Sequence, residues 1–317
     1  MSKRGGMQNS RSFISPSLKK TLSVCVIAAL CLAAAWLIRS GVFNDAQTAD
    51  KPKAAYEIAR QIRYSFTIQN TTSQLIEKGV FRTWAPAKQT PTQLCERIDA
   101  SDPFHVLTDD LGNQMLEFDL KDFPPYGNRI ISITADLLMS PTPNRIASGD
   151  LQHWLDPEKY IESDHPDLKQ TARILKAGTP KETAANIFKW VSGHVQHRGY
   201  LKKDRGALYA YLNKRGDCTE YMYLFTALCR AGGIPARGIG GYIAPQNLIL
   251  KPAGFHNWAE YYDNERWHPA DPQNNVFMRD GQDFIVMRII AASPDQPEGR
   301  FNRFRIEGRG LKARMNS

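Results

Sequence analysis

The sequence predicts an α+β chain in which a buried, cysteine-bearing helix rests on an antiparallel sheet, with a β-sandwich ahead of both. Three observations predict it. From Tyr56 to about Met139 apolar residues recur with period two. From about residue 164 the pattern turns helical, with clear start signals. Tyr221, Met222, Leu224, Phe225, Leu228 and Cys229 then cover nearly the whole circumference of one helix, and three strand-like runs follow it, RGIGGYI, HNWAEYY and RWHPAD. A helix apolar all round is a buried one.

In chain order, residues 1–20 form a short basic arm. Residues 21–38, TLSVCVIAALCLAAAWLI, hold no charge. Eighteen residues at 1.5 Å rise reach roughly 27 Å, close to the hydrocarbon thickness of a bilayer. Five positive charges precede this run, which orients the arm to the cytoplasm and everything beyond it outside. The expectation is an uncleaved single-span anchor in a bacterial inner membrane, with the body in the periplasm. A cleaved signal peptide is the rival, although no small-x-small site follows promptly. Residues 39–55 read as a polar linker.

Residues 56–140 read as a β-sandwich: Ile62, Tyr64, Phe66 and Ile68 alternate with polar residues, and Ile131, Ile133, Ala135 and Leu137 do the same. Residues 141–160 are a linker opening on a Pro/Ser-rich run. A core follows over 161–300. Asp164 to Asp167 is expected to cap a helix to about Lys176. Thr179-Pro180-Lys181-Glu182 reads as a capping box with proline at the first helical position. A short helix is expected from Gly206 to Lys214. The cysteine helix runs from about Cys218 to Arg230, stopped by Gly232-Gly233 and Pro235. A turn at Asp263-Asn264 is expected to join the last two strands. Residues 301–317 read as a final strand and a frayed basic tail, or as a contact for anionic lipid headgroups.

The net charge of +9 invites a nucleic-acid reading, but its location argues against one. Residues 1–50 carry +4 and residues 301–317 another +4, leaving +1 for the body. A nucleic-acid-binding body needs a basic face within the folded domain. Five cysteines, two of them inside the apolar run, make neither a disulfide framework nor a CxxC metal motif. No EF-hand-like loop appears. No metal or cofactor is expected, and the sequence sets no oligomeric state.

The chemistry concentrates between Arg215 and Pro272. Cys218 follows Gly216-Asp217 where a loop becomes a helix, and free amides and the helix dipole there favour a thiolate and could receive an oxyanion. His256 opens one strand and Asp271 closes the next. A turn centred between residues 263 and 264 places the two opposite one another, so that Asp271 fixes the imidazole for a Cys-His-Asp triad. Trp258, on the same strand face as His256, walls the cleft or fills the core. His268 lies one strand away and is a weaker candidate. Cys229 reads as a small apolar core residue.

RGDCTEYMYLFTALCRAGGIPARGIGGY, HNWAEYY and RWHPADP, in this order, resemble the transglutaminase-like superfamily, especially its bacterial members. The resemblance covers about residues 160–275 and implies a papain-like α+β core. It implies a thioester on Cys218 formed from an amide carbonyl, then transfer to an amine or to water. The partner implied is a peptide or protein substrate. Animal members carry a tryptophan upstream of the nucleophile for the oxyanion; Lys203 to Gly206 has none, and Tyr200 is the nearest aromatic. A catalytically silent binding or scaffold module in the cell envelope is the alternative function.

Overall fold

The period-two alternation from Ile62 to Ile68 builds β1 (Ile58–Asn70), whose even-numbered side chains point inward. It is followed by β2 (Ile76–Ala85), β3 (Gln93–Ala100), β4 (His105–Thr108), β5 (Gln114–Phe123) and β6 (Asn128–Met139). β1 pairs antiparallel with β6 along nearly its full length, and β3 continues that sheet. β2, β5 and β4 make a second sheet. The inward residues of both, Phe66, Phe81 and Phe118 among them, share one hydrophobic core. This computed structural model describes residues 55–146, 149–201, 203–290 and 303–317. The expected arm, the apolar run 21–38 and nearly all of the first linker lie outside the described residues. Among the described residues no helix is long and apolar enough to cross a membrane.

Among the described residues four α-helices and ten more strands follow. α1 (Pro166–Leu175) is capped by His165, whose Nδ1 accepts from the Asp167 amide, rather than by an acidic residue. α2 (Pro180–His194) begins with the expected Thr179–Glu182 capping box. β7 (Gln196–His197) pairs parallel with β8 (Arg215–Gly216), and α3 (Ala207–Asn213) lies between them in sequence. α4 (Cys218–Ala231) is buried continuously from Glu220 to Arg230. It rests on a sheet ordered β13-β12-β11-β9-β14, formed by β9 (Ala236–Ile243), β11 (Phe255–Asp263), β12 (Arg266–Asp271), β13 (Val276–Phe277) and β14 (Phe284–Ile290). The short β10 (Leu248–Ile249) instead joins β1 in parallel.

The β11–β12 turn lies one residue later than expected. Asp263 pairs with Arg266, so Asn264 and Glu265 form a two-residue loop, both at positive φ (49° and 61°). His256 and Asp271 are therefore not directly opposite. The offset moves each strand's partner by two residues, an even number, so both side chains stay on one face and meet diagonally.

The expected frayed tail is ordered. β15 (Phe304–Glu307) extends the second sheet beside β2, and β16 (Leu311–Met315) pairs with Phe66–Asn70 of β1. Leu311 and Met315 point into the core while Lys312 faces solvent, so the basic residues occupy the outer positions of a strand. Both N-terminal sheets are thus completed by the end of the chain, and residues 54–317 form one body.

Two side-chain amides fasten the sheet under α4 to that assembly. Gln93 accepts from the Val286 amide (2.9 Å) and donates to its carbonyl (3.0 Å). Asn113 does the same at Ile289, at 2.7 and 2.9 Å. Each amide replaces a strand neighbour for β14 on either side of a bulge at Val286–Arg288. Both are almost fully buried, so removing one orphans backbone groups that water cannot reach. Asn113→Leu is expected to lower the unfolding free energy by about 2–3 kcal/mol. A urea titration checks this, and a loss below about 0.5 kcal/mol would show that the join lies elsewhere.

Candidate active site

α4 is built to begin at Cys218. Asp217 caps it, accepting from the Thr219 amide through Oδ1 (2.9 Å), and Glu220 closes the box by accepting from the Asp217 amide (3.1 Å). Residue 216 is glycine because a Cβ there would collide with Glu220. The other oxygens of the two acids hold a second segment. Asp217 Oδ2 accepts from the Leu201 amide at 2.7 Å, and Glu220 Oε1 from the Arg205 amide at 3.0 Å. The acids of the cysteine motif are thereby spent on fixing Leu201 and Arg205 against the start of α4. Burial pushes the Glu220 carboxyl up to about 7, with the Asp217 charge adding to the rise and the two amides opposing it. Cys218 itself is partly exposed.

The other two groups come from the sheet. His256 Nε2 lies 2.7 Å from Asp271 Oδ2, which leaves Nδ1 for the sulfur. Asp271 is 1% exposed and has further donors. The Asn274 amide N–H reaches Oδ1 at 3.2 Å, and the Asn274 side chain reaches Oδ2 at 2.8 Å and His256 Nε2 at 3.1 Å. Burial alone would lower the His256 pKa. Hydrogen bonds to Asp271 and to the Cys218 thiol, with the charges of both, outweigh it and push the pKa up to about 9. That pKa keeps a proton on the ring at neutral pH, where it can be handed to a leaving group.

The structure therefore brings together Cys218, His256 and Asp271. Trp258 is 1% exposed and packs on Phe284 with ring centres 5.0 Å apart, in a cluster separate from the one that holds the α4 side chains. It is a core residue, and its ring lies nearly parallel to His256 (21°), 6.4 Å away, as a floor under the imidazole. Tyr200 is 79% exposed, so no packing holds its hydroxyl at an oxyanion position. His268 bonds the Asp263 carbonyl at 3.2 Å across its own hairpin, and burial lowers its pKa. Among the described residues no cluster of three or more His, Cys, Asp and Glu could hold a metal ion.

Three contributors were not singled out in the sequence. Asn274 carries no signal there beyond lying three residues after Asp271. Asn257, whose side chain donates to Thr219 Oγ1 at 2.9 Å, ties the histidine strand to the first turn of α4. Glu220 was readable, since Asp217-Cys218-Thr219-Glu220 has the capping-box spacing.

Residues 169–272 match the family model of the transglutaminase-like superfamily. Among solved structures, the chain is similar to a candidate cysteine protease from Cytophaga hutchinsonii: 19% identity and a TM-score of 0.54, over 82% of this chain and 93% of that one. It is also similar to the periplasmic domain of TgpA from Pseudomonas aeruginosa bound to ethylmercury, at 17% identity and a TM-score of 0.34 over 69% and 91%. Red sea bream transglutaminase matches at 12% identity and a TM-score of 0.28, over 70% of this chain and 49% of that one. No curated protein matches the chain by sequence. Helices and sheets together make a transglutaminase-like fold, and at such identities the likeness to the Cytophaga protein is one of fold.

Proposed function

We propose that this chain is a membrane-anchored thiol enzyme that transfers an acyl group from an amide bond of a peptide or protein. The observation that carries the reading is the hydrogen-bonded line from the thiol at the start of α4 through His256 to buried Asp271. In this reading the Cys218 thiolate attacks the amide carbonyl, forming a C–S bond and a tetrahedral oxyanion. The first amides of α4 receive that oxyanion. Collapse breaks the C–N bond, and the His256 proton passes to the leaving amine. The resulting thioester is then attacked by water or by a second amine, whose proton His256 takes, and the thiolate leaves. Asp271 holds the ring and its charge throughout.

The uncharged run 21–38, preceded by five positive charges, supports an anchor in a bacterial inner membrane with the body in the periplasm. The N-terminal sheets are then a β-sandwich joined to a papain-like core.

The test uses the full chain with a glutamine-containing peptide and a labelled primary amine. Label incorporation identifies transamidation; ammonia or peptide release without label identifies hydrolysis. Cys218→Ala abolishes either. Full activity in that variant would remove the mechanism, and an unreactive Cys218 toward iodoacetamide at neutral pH would point to a silent scaffold.

Because His256 must enter the first step protonated, kcat/KM is expected to fall as pH rises through about 9. The stability linkage has the same sign. A raised histidine pKa stabilises the fold fully below about 6.5 and loses that contribution as pH passes about 9. A pH–rate profile flat to pH 10 would contradict the imidazolium role.

A further inference from the structure

Resting on the acyl-transfer reading, we infer that the substrate of this site is anionic: a peptide or protein segment rich in carboxylates beside the amide that reacts. Three stretches adjoin the triad residues in sequence, residues 196–201 with 203–220, 250–257 and 272–279, and the first is also bonded to the start of α4 through the Leu201 and Arg205 amides. Their acids are Asp204, Asp217 and Glu220. Asp217 and Glu220 are buried and hold the amides of residues 201 and 205, and Asp204 accepts from the Tyr223 hydroxyl at 3.1 Å. Their cations are turned the other way. Arg198, Lys203, Arg205, Lys214, Arg215 and Lys251 are all exposed.

Among the described residues none of these six forms an ion pair with an acid. Arg198 bonds Gln196, Arg215 bonds the Tyr209 hydroxyl, and Arg205 lies over the Tyr209 ring. Arg279, on the third segment, ion-pairs with Asp280 at 3.8 Å.

The contrast with the rest of the body matters. Residues 51–300 balance to a net charge of +1, so the rim is not one sample of a uniformly basic surface. The hydrogen bonds that place Cys218 also bury Asp217 and Glu220, leaving half-buried Asp204, bonded to the Tyr223 hydroxyl, as the one acid of these segments near solvent against six exposed cations. A cleft lined by one sign of charge concentrates ligands of the other sign. β7 pairs with β8, and the Leu201 and Arg205 amides are bonded to Asp217 and Glu220, so Arg198 and Arg205 sit on backbone tied to the start of α4, with Lys203 between the two bonded amides in sequence.

The experiment measures binding apart from turnover. Three fluorescein-labelled glutamine peptides of equal length, flanked by Glu, Gln or Lys, are titrated by anisotropy into the full Cys218→Ala chain. The Glu peptide is expected to bind on the order of tenfold tighter than the Gln peptide, with the Lys peptide weaker still. The spread should collapse toward 0.5 M salt, where screening shortens to a few ångströms, roughly. Arg198→Glu/Lys203→Glu should erase the preference, and the milder Arg198→Gln/Lys203→Gln pair should reduce it. In the chain with Cys218 intact, iodoacetate should gain on iodoacetamide relative to the same ratio at a free thiol. Equal affinities for the three peptides, or an unchanged alkylation ratio, would overturn the inference. Failure of the acyl-transfer reading shows separately, as absence of turnover with Cys218 intact.

Discussion

Asp271→Asn is expected to lower kcat by about 10³–10⁴-fold. The carboxylate accepts from His256, from the Asn274 side chain and from the Asn274 amide N–H, all as donors. A carboxamide has one acceptor end and one donor end. With oxygen toward His256 and the Asn274 side chain, its NH₂ meets the Asn274 N–H. With NH₂ toward His256, it meets two donors there. Either orientation leaves a buried conflict, and both remove the charge that keeps the imidazolium protonated. The alkaline limb of the pH–rate profile should therefore move down from about 9 toward the ordinary histidine value. The donor conflict should also cost about 1–3 kcal/mol of stability. A variant with kcat within tenfold of the parent would show that Asp271 is not the orienting group.

Glu260→Leu is expected to destabilise the fold by about 3–5 kcal/mol without touching the triad. Glu260 and Arg237 face each other across β11 and β9, with Arg237 Nε and Nη2 at 2.8 and 2.6 Å from one carboxylate oxygen. They are 3% and 6% exposed. The guanidinium lies 4.1 Å above the Trp267 ring and 5.8 Å from Trp154. Removing the carboxylate strands a cation in an aromatic pocket, because arginine does not shed its proton. Arg237→Met/Glu260→Leu should recover much of the loss, since the desolvation of both charges goes with them. Urea titrations of the two single variants and the double measure the coupling. A single-variant cost below about 1 kcal/mol would mean that the pair is a passenger.

The triad and the Arg237–Glu260 pair separate what was legible in the sequence from what was not. Cys218, His256 and Asp271 could be read because thiol chemistry needs three residue types in order, and each sat at the edge of a recognisable element. The register was misplaced by one turn position, yet the meeting of His256 and Asp271 survived, because in a sheet the parity of the offset decides the face. Arg237 and Glu260 lie inside the same motif blocks and look as conspicuous as the triad, but they are structural; only cross-strand pairing reveals that. Trp258 was ambiguous between cleft and core because strand alternation names a face without saying which face is covered. Gln93, Asn113 and Asn274 act through partners chosen by the tertiary fold, and local pattern says nothing about those. Leu311, Ala313 and Met315 alternate with Lys312 and Arg314 as a strand should, but basic composition and a partner at the far end of the chain masked the signal.

That distant partner bears on how the protein is made. The stretch of β1 from Phe66 to Asn70 pairs with residues synthesised about 240 positions later. A ribosome adding roughly 5–20 residues per second leaves that edge waiting for many seconds. Throughout that interval the nascent chain presents an open row of backbone donors and acceptors beside Phe66 and Ile68, which is a template for the wrong neighbour. The first strand laid down is among the last to be closed, so a holding chaperone should recognise the early third of this chain.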